Sequence, residues 1–133
     1  MAYLLEFDPG GRIVRCRMEG QVTEAEFREY YRDFSESAAL LQPRAAILDL
    51  SKVTSFEVPS HVISDLAGRP PAFADPYAPR VVIAPTPSLF GIARMFQLRG
   101  EQMRPNFHVV HTHAEAWEIL GLKQEPHFDP IKK

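Results

Sequence analysis

Three histidines, His108, His111 and His113, form the most concentrated set of side chains in the chain that could bind a metal. On an extended strand, residues 108 and 111 point to opposite faces, and His113 falls in the first turn of the helix predicted next. A zinc site needs ligands that converge on one point, and no cysteine or carboxylate stands beside the histidines until Glu115. We therefore predict no metal site and no cofactor.

Two carboxylates, Asp49 and Glu57, follow an apolar run and could act as an acid–base pair. Alternatively, Asp49 accepts hydrogen bonds from turn amides and Glu57 is solvated. The sequence has no Gly-x-Ser-x-Gly elbow and no glycine-rich nucleotide loop. Cys16 lies in an early hairpin, where the usual role is that of a small buried hydrophobe. We therefore expect a protein that is not an enzyme.

The composition is typical of one soluble globular domain. Of the 133 residues, 45% are hydrophobic and 24% are charged, which favours a packed core over disorder. The formal net charge is -2 and the basic residues are scattered, so nucleic acid is not an expected partner. The N-terminus lacks the basic lead of a signal peptide, no apolar run is long enough to cross a bilayer, and the single cysteine suits a reducing compartment. We expect a cytoplasmic protein without membrane insertion.

Apolar runs predict about five strands. The first two form a hairpin around Asp8-Pro9-Gly10-Gly11, and the mixed polarity of the second strand suggests a position near the edge of the sheet. The third and fourth strands are apolar without polar alternation, which is typical of strands covered on both faces, and the third should be central. The predicted strands are residues 3–7, 12–18, 45–48, 80–84 and 106–110.

Capping patterns predict four helices. Thr23 and Thr112 are each followed three residues later by glutamate, which is the capping-box signature. Thr86 with the following proline supplies an N-cap and a first-turn proline, and another helix start follows Pro59. The expected ends of the first, third and last helices are Pro43, Gln102 and Gly121.

Strands and helices alternate after the opening hairpin, which implies right-handed crossovers and parallel pairing. The hairpin adds an antiparallel strand. We therefore predict an α/β fold, with a single-domain mixed sheet of about five strands and about four helices packed on it. The domain is expected to cover residues 1–122, and residues 123–133 to form a C-terminal tail.

Two apolar features lie outside the predicted core. Residues 69–79 contain four prolines and form a loop, in which Phe73 and Tyr77 either pin the loop to the body or belong to a lid over a cavity. On the third helix, Met95 and Leu98 project from the side opposite the arc that faces the core. Apolar groups in that position are often buried by a second copy of the chain or by a ligand, so we expect a homodimer.

The order of elements, with the segment Leu48-Asp49-Leu50-Ser51-Lys52-Val53 running into a helix start, resembles that of the STAS domains. This family comprises anti-sigma-factor antagonists and sulphate-transporter tails. The chain is most similar to the SpoIIAA-like, STAS/SEC14-type branch, in which segments such as residues 91–97 and 115–120 recur. The resemblance covers nearly the whole chain and implies a STAS-like fold.

In the antagonist branch, an Asp-Ser-Ser-Gly motif at this helix start carries a serine that a partner kinase phosphorylates. The present sequence has Glu57-Val58-Pro59-Ser60 instead. Ser60 either presents a hydroxyl near the first turn, where free amides favour a phosphate, or is a plain helix-start serine.

The main functional hypothesis is a non-enzymatic binding or regulatory module of the STAS/SpoIIAA-like type. Ligands of parallel sheets bind beyond the carboxyl ends of the strands, so we expect a protein partner or small ligand to be recognised there. Arg94 either reaches this opening or pairs with a surface carboxylate. The expected binding residues are Asp49, Ser51, Glu57, Ser60 and Arg94.

The second hypothesis is a carrier or sensor of a lipid or other apolar small molecule. It is suggested by the STAS/SEC14 resemblance, by the aromatic loop and by the apolar surplus of the third helix. An elongated apolar cavity lined by Phe73, Tyr77, Phe90 and Met95 would favour it, and Leu98 belongs to the same apolar set.

Overall fold

A mixed sheet with helices on both faces makes up the protein, and the computed structural model describes residues 3–131. The strands are β1 (Tyr3–Asp8), β2 (Ile13–Thr23), β3 (Ala45–Glu57), β4 (Arg80–Ile83), β5 (Phe107–Val110) and β6 (Asp129–Pro130). The helices are α1 (Glu24–Leu41), α2 (Ser60–Ala67), α3 (Pro87–Arg99) and α4 (His113–Ile119). The strand order is β5-β4-β3-β2-β1-β6. The predicted α/β fold is confirmed, with a sixth, short strand added.

The four strands β2 to β5 are parallel and lie side by side in chain order, while β1 and β6 are antiparallel to their neighbours. Each of these strands lies on the same side of the strand that precedes it, and the connecting crossovers have the same handedness. Helices α1, α2 and α3 therefore lie on the same face of the sheet. We call this the helical face. Helix α4 packs on the opposite face, where Ala116 and Leu120 join the core.

Strand β3 is longer than the sequence predicts. The polar turn expected after Asp49 does not form, because β3 continues to Glu57 in parallel pairing with β2. Two register shifts, each with one extra residue in β3, accommodate this pairing, and Gly20 of β2 at the second shift has a positive φ of 67°. Within residues 3–131, no further strand flanks residues 19–23 of β2 or residues 52–57 of β3. We call this pair of segments the β2–β3 ribbon.

The position of β2 also differs from the prediction. It lies between β1 and β3 and is not near an edge. Its mixed polarity has another cause: Arg15 and Arg17 form ion pairs of 3.0 and 2.8 Å with Glu6 on β1, which is 5% exposed. A buried carboxylate needs such partners, so the charges belong to the interior of the sheet.

The predicted helix starts are confirmed. Thr23 and Thr112 form complete capping boxes, and the side chain of Thr86 accepts a hydrogen bond from the amide of Leu89. After α4, Gly121 has a φ of 69°, and the amide of Leu122 bonds the carbonyl of Trp117, as in a Schellman motif. Of the helices in residues 3–131, none combines the length and apolarity that a membrane crossing requires.

Helix α3 ends at Arg99 and not near Gln102. The next residue, Gly100, is buried against the end of α2. A Cβ atom at this position would lie 2.8 Å from Nη1 of Arg104 and 3.0 Å from the carbonyl oxygen of Ala67. Glycine therefore permits the close approach that turns the chain back beneath α2.

The segment after α4 takes part in the sheet. Residues 129–130 form β6 beside β1, and the amide of Ile131 donates to the carbonyl of Leu5. The ring of Phe128 lies 3.9 Å from the guanidinium carbon of Arg15 and covers it. The segment predicted as a tail thus completes the face that α4 leaves open.

Candidate functional site

A cavity of about 90 Å³ lies between the helical face of the sheet and helices α1, α2 and α3. Its wall is mostly apolar and rich in aromatic rings. The aromatic lining residues are Phe27, Tyr30, Tyr31 and Phe34 of α1, Phe56 of β3, Phe96 of α3 and Phe107 of β5. The aliphatic ones include Leu48, Leu50, Ile63, Val82 and Ile92. Few polar groups enter this space, so it suits an apolar molecule.

Small side chains leave the cavity open. Ala46 on β3 and Ala93 on α3 both line it and are 6% and 7% exposed, respectively. Protein interiors are normally filled to high density, so large rings opposite alanines leave space that larger residues would occupy. The wall runs along β3 from Ala46 to Leu50, which is about 13 Å at the rise of an extended strand. Strand β3 thus forms one continuous part of the wall, and Val82 of β4 and Phe107 of β5 extend it sideways.

The cavity also reaches the surface. Tyr31, Phe34, Phe56, Ile92 and Phe96 all line it and are only partly buried. Phe56 belongs to the β2–β3 ribbon, and its ring lies 5.4 Å from that of Phe27. A small molecule would thus meet an aromatic rim before it reaches the interior.

Arg80 contributes a charged group to the cavity wall. It is the first residue of β4, beside Ala46 of β3 and Phe107 of β5, and only 7% of its surface is exposed. The ring of Phe73 lies 4.6 Å from its guanidinium carbon. Burial, together with the charge of Arg104, lowers the pKa of Arg80 to about 10, so it remains charged at neutral pH.

Two nitrogen atoms of Arg80 have no hydrogen-bond partner. Within residues 3–131, Nε and Nη2 of Arg80 are the only buried side-chain nitrogen or oxygen atoms in this condition. Buried polar groups in proteins are nearly always paired, because an unpaired donor has lost its water without compensation. Arg80 therefore differs from the other buried polar side chains in residues 3–131.

Arg104 lines the same cavity but donates three hydrogen bonds to the protein. Its Nη1 donates to the carbonyl of Ala67, and its Nη2 donates to the carbonyl of Arg69 and to the hydroxyl of Tyr31. It also stacks at 5.0 Å on the ring of Phe96. These bonds hold α1, α2 and α3 together, so Arg104 supports the wall of the cavity.

Asp49 lies on the face opposite the cavity, 5% exposed, beneath α4. It accepts a hydrogen bond from the amide of Ser51 at 2.9 Å, and its Oδ2 lies 2.8 Å from Nε2 of His113. Burial raises the pKa of Asp49, but the hydrogen bonds of Ser51 and the contact with His113 outweigh it and lower the pKa overall. Asp49 thus accepts a local amide, but that amide belongs to Ser51 within β3 and not to a turn, as one of the two alternatives predicted.

The other residues of the predicted strand-end site do not converge on Asp49. Eight residues of extended strand place Glu57 roughly 26 Å away, so the two carboxylates form no acid–base pair. Glu57 accepts a hydrogen bond from Gln21, Ser60 is an exposed first residue of α2, and Arg94 is exposed and bonded to Gln97. Because the parallel strands follow one another without a reversal of order, no crevice opens at their ends.

The three histidines have separate environments. His108 contacts the side chain of Asn106 at 2.6 Å, and the ring of His111 stacks on that of Phe90 at 4.3 Å. His113 pairs with Asp49. In the described range 3–131, no three His, Cys, Asp or Glu side chains are grouped as a metal ion would require.

The apolar residues predicted to line a cavity lie outside its wall. Phe73 is buried and stacks at 6.0 Å on Phe34, so it pins the loop, whereas Tyr77 is 68% exposed and does not. Phe90 faces His111. Met95 is partly buried against the core, contrary to prediction, whereas Leu98 is 56% exposed. Two features of the sequence point to this cavity: the aromatic stripe of α1, and Arg80 at the start of an apolar strand.

Comparison with known proteins gives no family assignment. No family model matches the chain, and no curated protein matches it significantly. The resemblance to STAS domains therefore stays a prediction from the sequence.

Proposed function

We propose that the protein is a non-enzymatic binding protein that holds a small apolar molecule in the cavity on the helical face, as a carrier or sensor. The observation that carries the proposal is the cavity itself, which combines aromatic walls with an opening to the surface. Binding sites for small molecules are typically apolar hollows with a few placed polar groups. The cavity corresponds to the second hypothesis drawn from the sequence, although other residues form it.

The cavity volume limits the ligand. An engineered apolar cavity of about 150 Å³ binds benzene, and drug-sized ligands occupy pockets of about 300 Å³ or more. At about 90 Å³, the present cavity suits a compact molecule, and a long lipid chain would have to extend through the rim. A small apolar ligand is therefore favoured over a membrane lipid.

Recognition of a protein partner at the strand ends has less support. Asp49 is buried under α4, whereas Glu57, Ser60 and Arg94 are exposed at separate positions. A STAS-like regulatory role remains compatible with ligand binding, because a sensor can report its bound state to a partner. A cytoplasmic location also belongs to the proposal, since the one cysteine, Cys16, is buried and unpaired.

Benzene binding tests the proposed function directly. Methyl resonances of Ala46, Leu48 and Ala93 should shift on titration with benzene, and the melting temperature should rise because ligand binds only the folded state. Ala93→Leu fills the cavity and should abolish both effects. Ala39→Leu, on the exposed side of α1, is the matched control and should bind benzene like the wild type. A folded wild-type protein that shows neither effect at benzene saturation would remove the proposal.

A further inference from the structure

The unpaired edge of Arg80 has the geometry of a carboxylate receptor. Nε and Nη2 lie side by side on one edge of the guanidinium plane, and both lack a partner. Such an edge matches the two oxygens of a carboxylate, with which it forms two parallel, charge-assisted hydrogen bonds. The two unpaired nitrogens therefore form one complete edge that a carboxylate can bind, and not two separate donors.

The same edge binds a carboxylate elsewhere in this protein. Nε of Arg17 lies 2.8 Å from Oε1 of Glu6, and its Nη2 lies 3.4 Å from Oε2. Arg80 has no equivalent partner: no carboxylate in residues 3–131 forms an ion pair with it. The cost of desolvating this edge of Arg80 is already met in the unliganded protein, so binding adds only the desolvation of the carboxylate.

Arg80 itself belongs to the wall of the apolar cavity. Its side chain is part of the cavity wall and is backed by Phe73, while aromatic and aliphatic groups extend from it towards Phe56. A molecule with an acidic end and an apolar body could therefore contact a cation and an apolar wall in the same cavity. Arg104, the other cation of the wall, is committed to the carbonyls of Ala67 and Arg69.

We propose that the ligand is a small apolar carboxylic acid whose carboxylate is bound side-on by Nε and Nη2 of Arg80. This inference rests on the proposed function, because it specifies the chemistry of a molecule in the same cavity. Both nitrogens are enclosed in the unliganded protein, so binding requires the Arg80 side chain to turn about its own rotatable bonds and present this edge. Phosphate is not favoured, since Arg80 offers it one edge and Arg104, the second cation of the wall, already donates to protein oxygens.

Matched ligands test the inference on the wild-type protein. Butanoate and butanamide have the same apolar body and differ in charge, so isothermal titration should show butanoate binding about 10- to 100-fold more tightly. Acetate, which lacks most of the body, and inorganic phosphate should bind far more weakly than butanoate. Equal affinity for butanoate and butanamide would overturn the inference and leave the proposed function standing. If neither compound nor benzene binds, the proposed function itself fails.

Variants of Arg80 provide the second test. Arg80→Met keeps an unbranched apolar stem but removes the guanidinium, and it should abolish the preference for butanoate over butanamide while leaving benzene binding intact. Arg80→Lys keeps the charge but loses the planar edge, so an intermediate preference is expected. Arg94→Met removes an exposed arginine from α3 and is the matched control, with wild-type selectivity. Retention of the full preference in Arg80→Met would show that another group binds the carboxylate.

Discussion

The Nη1 atom of Arg104 donates a hydrogen bond to the carbonyl oxygen of Ala67 at 2.8 Å, across 37 positions of sequence. This bond satisfies the last turn of α2 with a side chain from the segment after α3. It is possible because Gly100 leaves room for the guanidinium between the two helices. The two arginines of the cavity wall thus differ, since Arg104 holds helices together whereas Nε and Nη2 of Arg80 have no hydrogen-bond partner in the protein.

Replacement of Arg104 should therefore destabilise the protein. Arg104→Met loses three hydrogen bonds and leaves buried carbonyls without donors, so we expect the free energy of unfolding to fall by about 2–4 kcal/mol. Urea denaturation measures this change. Arg94→Met, at an exposed position, should stay within about 0.5 kcal/mol of the wild type. If the two variants were equally stable, the bonds of Arg104 would contribute nothing.

The contact between Asp49 and His113 should make stability depend on pH at the acidic end. The pKa of Asp49 is lower in the folded protein than its usual value of 3.8, so its charged form stabilises the fold above that pH. This contribution is lost as the pH falls through the lowered pKa. Asp49→Asn should reduce the free energy of unfolding by about 1–2 kcal/mol near neutral pH, and the difference from the wild type should shrink below pH 3.8.

The exposed pair of Asp65 and Arg69 supplies the control for this measurement. Both side chains are more than half exposed, so Asp65→Asn should change the stability little at any pH. Denaturation curves recorded from neutral pH to pH 3 would compare the two variants. An Asp49→Asn difference that stays constant across this range would contradict the assigned cause.

A homodimer through Leu98 is the third prediction. The side chain is 56% exposed on α3, and pairing with a second copy would bury it. Leu98→Glu should shift the sedimentation coefficient from that of a dimer to that of a monomer. Leu40→Glu changes another exposed leucine, on α1, and should leave the dimer intact. Sedimentation of the wild type as a monomer at all practical concentrations would remove the prediction.

Local signals in the sequence predicted much of the fold. The capping boxes at Thr23 and Thr112 depend on residues three positions apart, and the structure contains both. The apolar strands likewise have short-range patterns that reflect burial on two faces. The extension of β3 was missed because Ser51 and Lys52 break the apolar run, and its stability depends on a distant partner, β2.

The cavity could not be predicted in the same way. Its wall brings Ala46, Arg80 and Ala93 together from three elements, and no local pattern shows that space remains between them. The aromatic residues of α1 form a stripe that is equally typical of a filled core. The unpaired state of Arg80 is also a tertiary property, because it depends on the absence of a carboxylate within reach. Sequence reasoning therefore favoured the more visible polar residues near the strand ends.

The β2–β3 ribbon has a consequence for the kinetics of binding. Each of its strands is hydrogen-bonded on one side only, so its amide protons should exchange with deuterium through local opening, faster than those of Val82 in the middle of the sheet. Phe56 belongs to the ribbon and also forms part of the cavity rim, so its ring moves when the ribbon opens. Opening of the ribbon would move this ring away from Phe27 without disturbing Arg80. The residence time of a bound molecule would then be set by the rate at which the ribbon opens, while its affinity would depend on its contacts in the closed state.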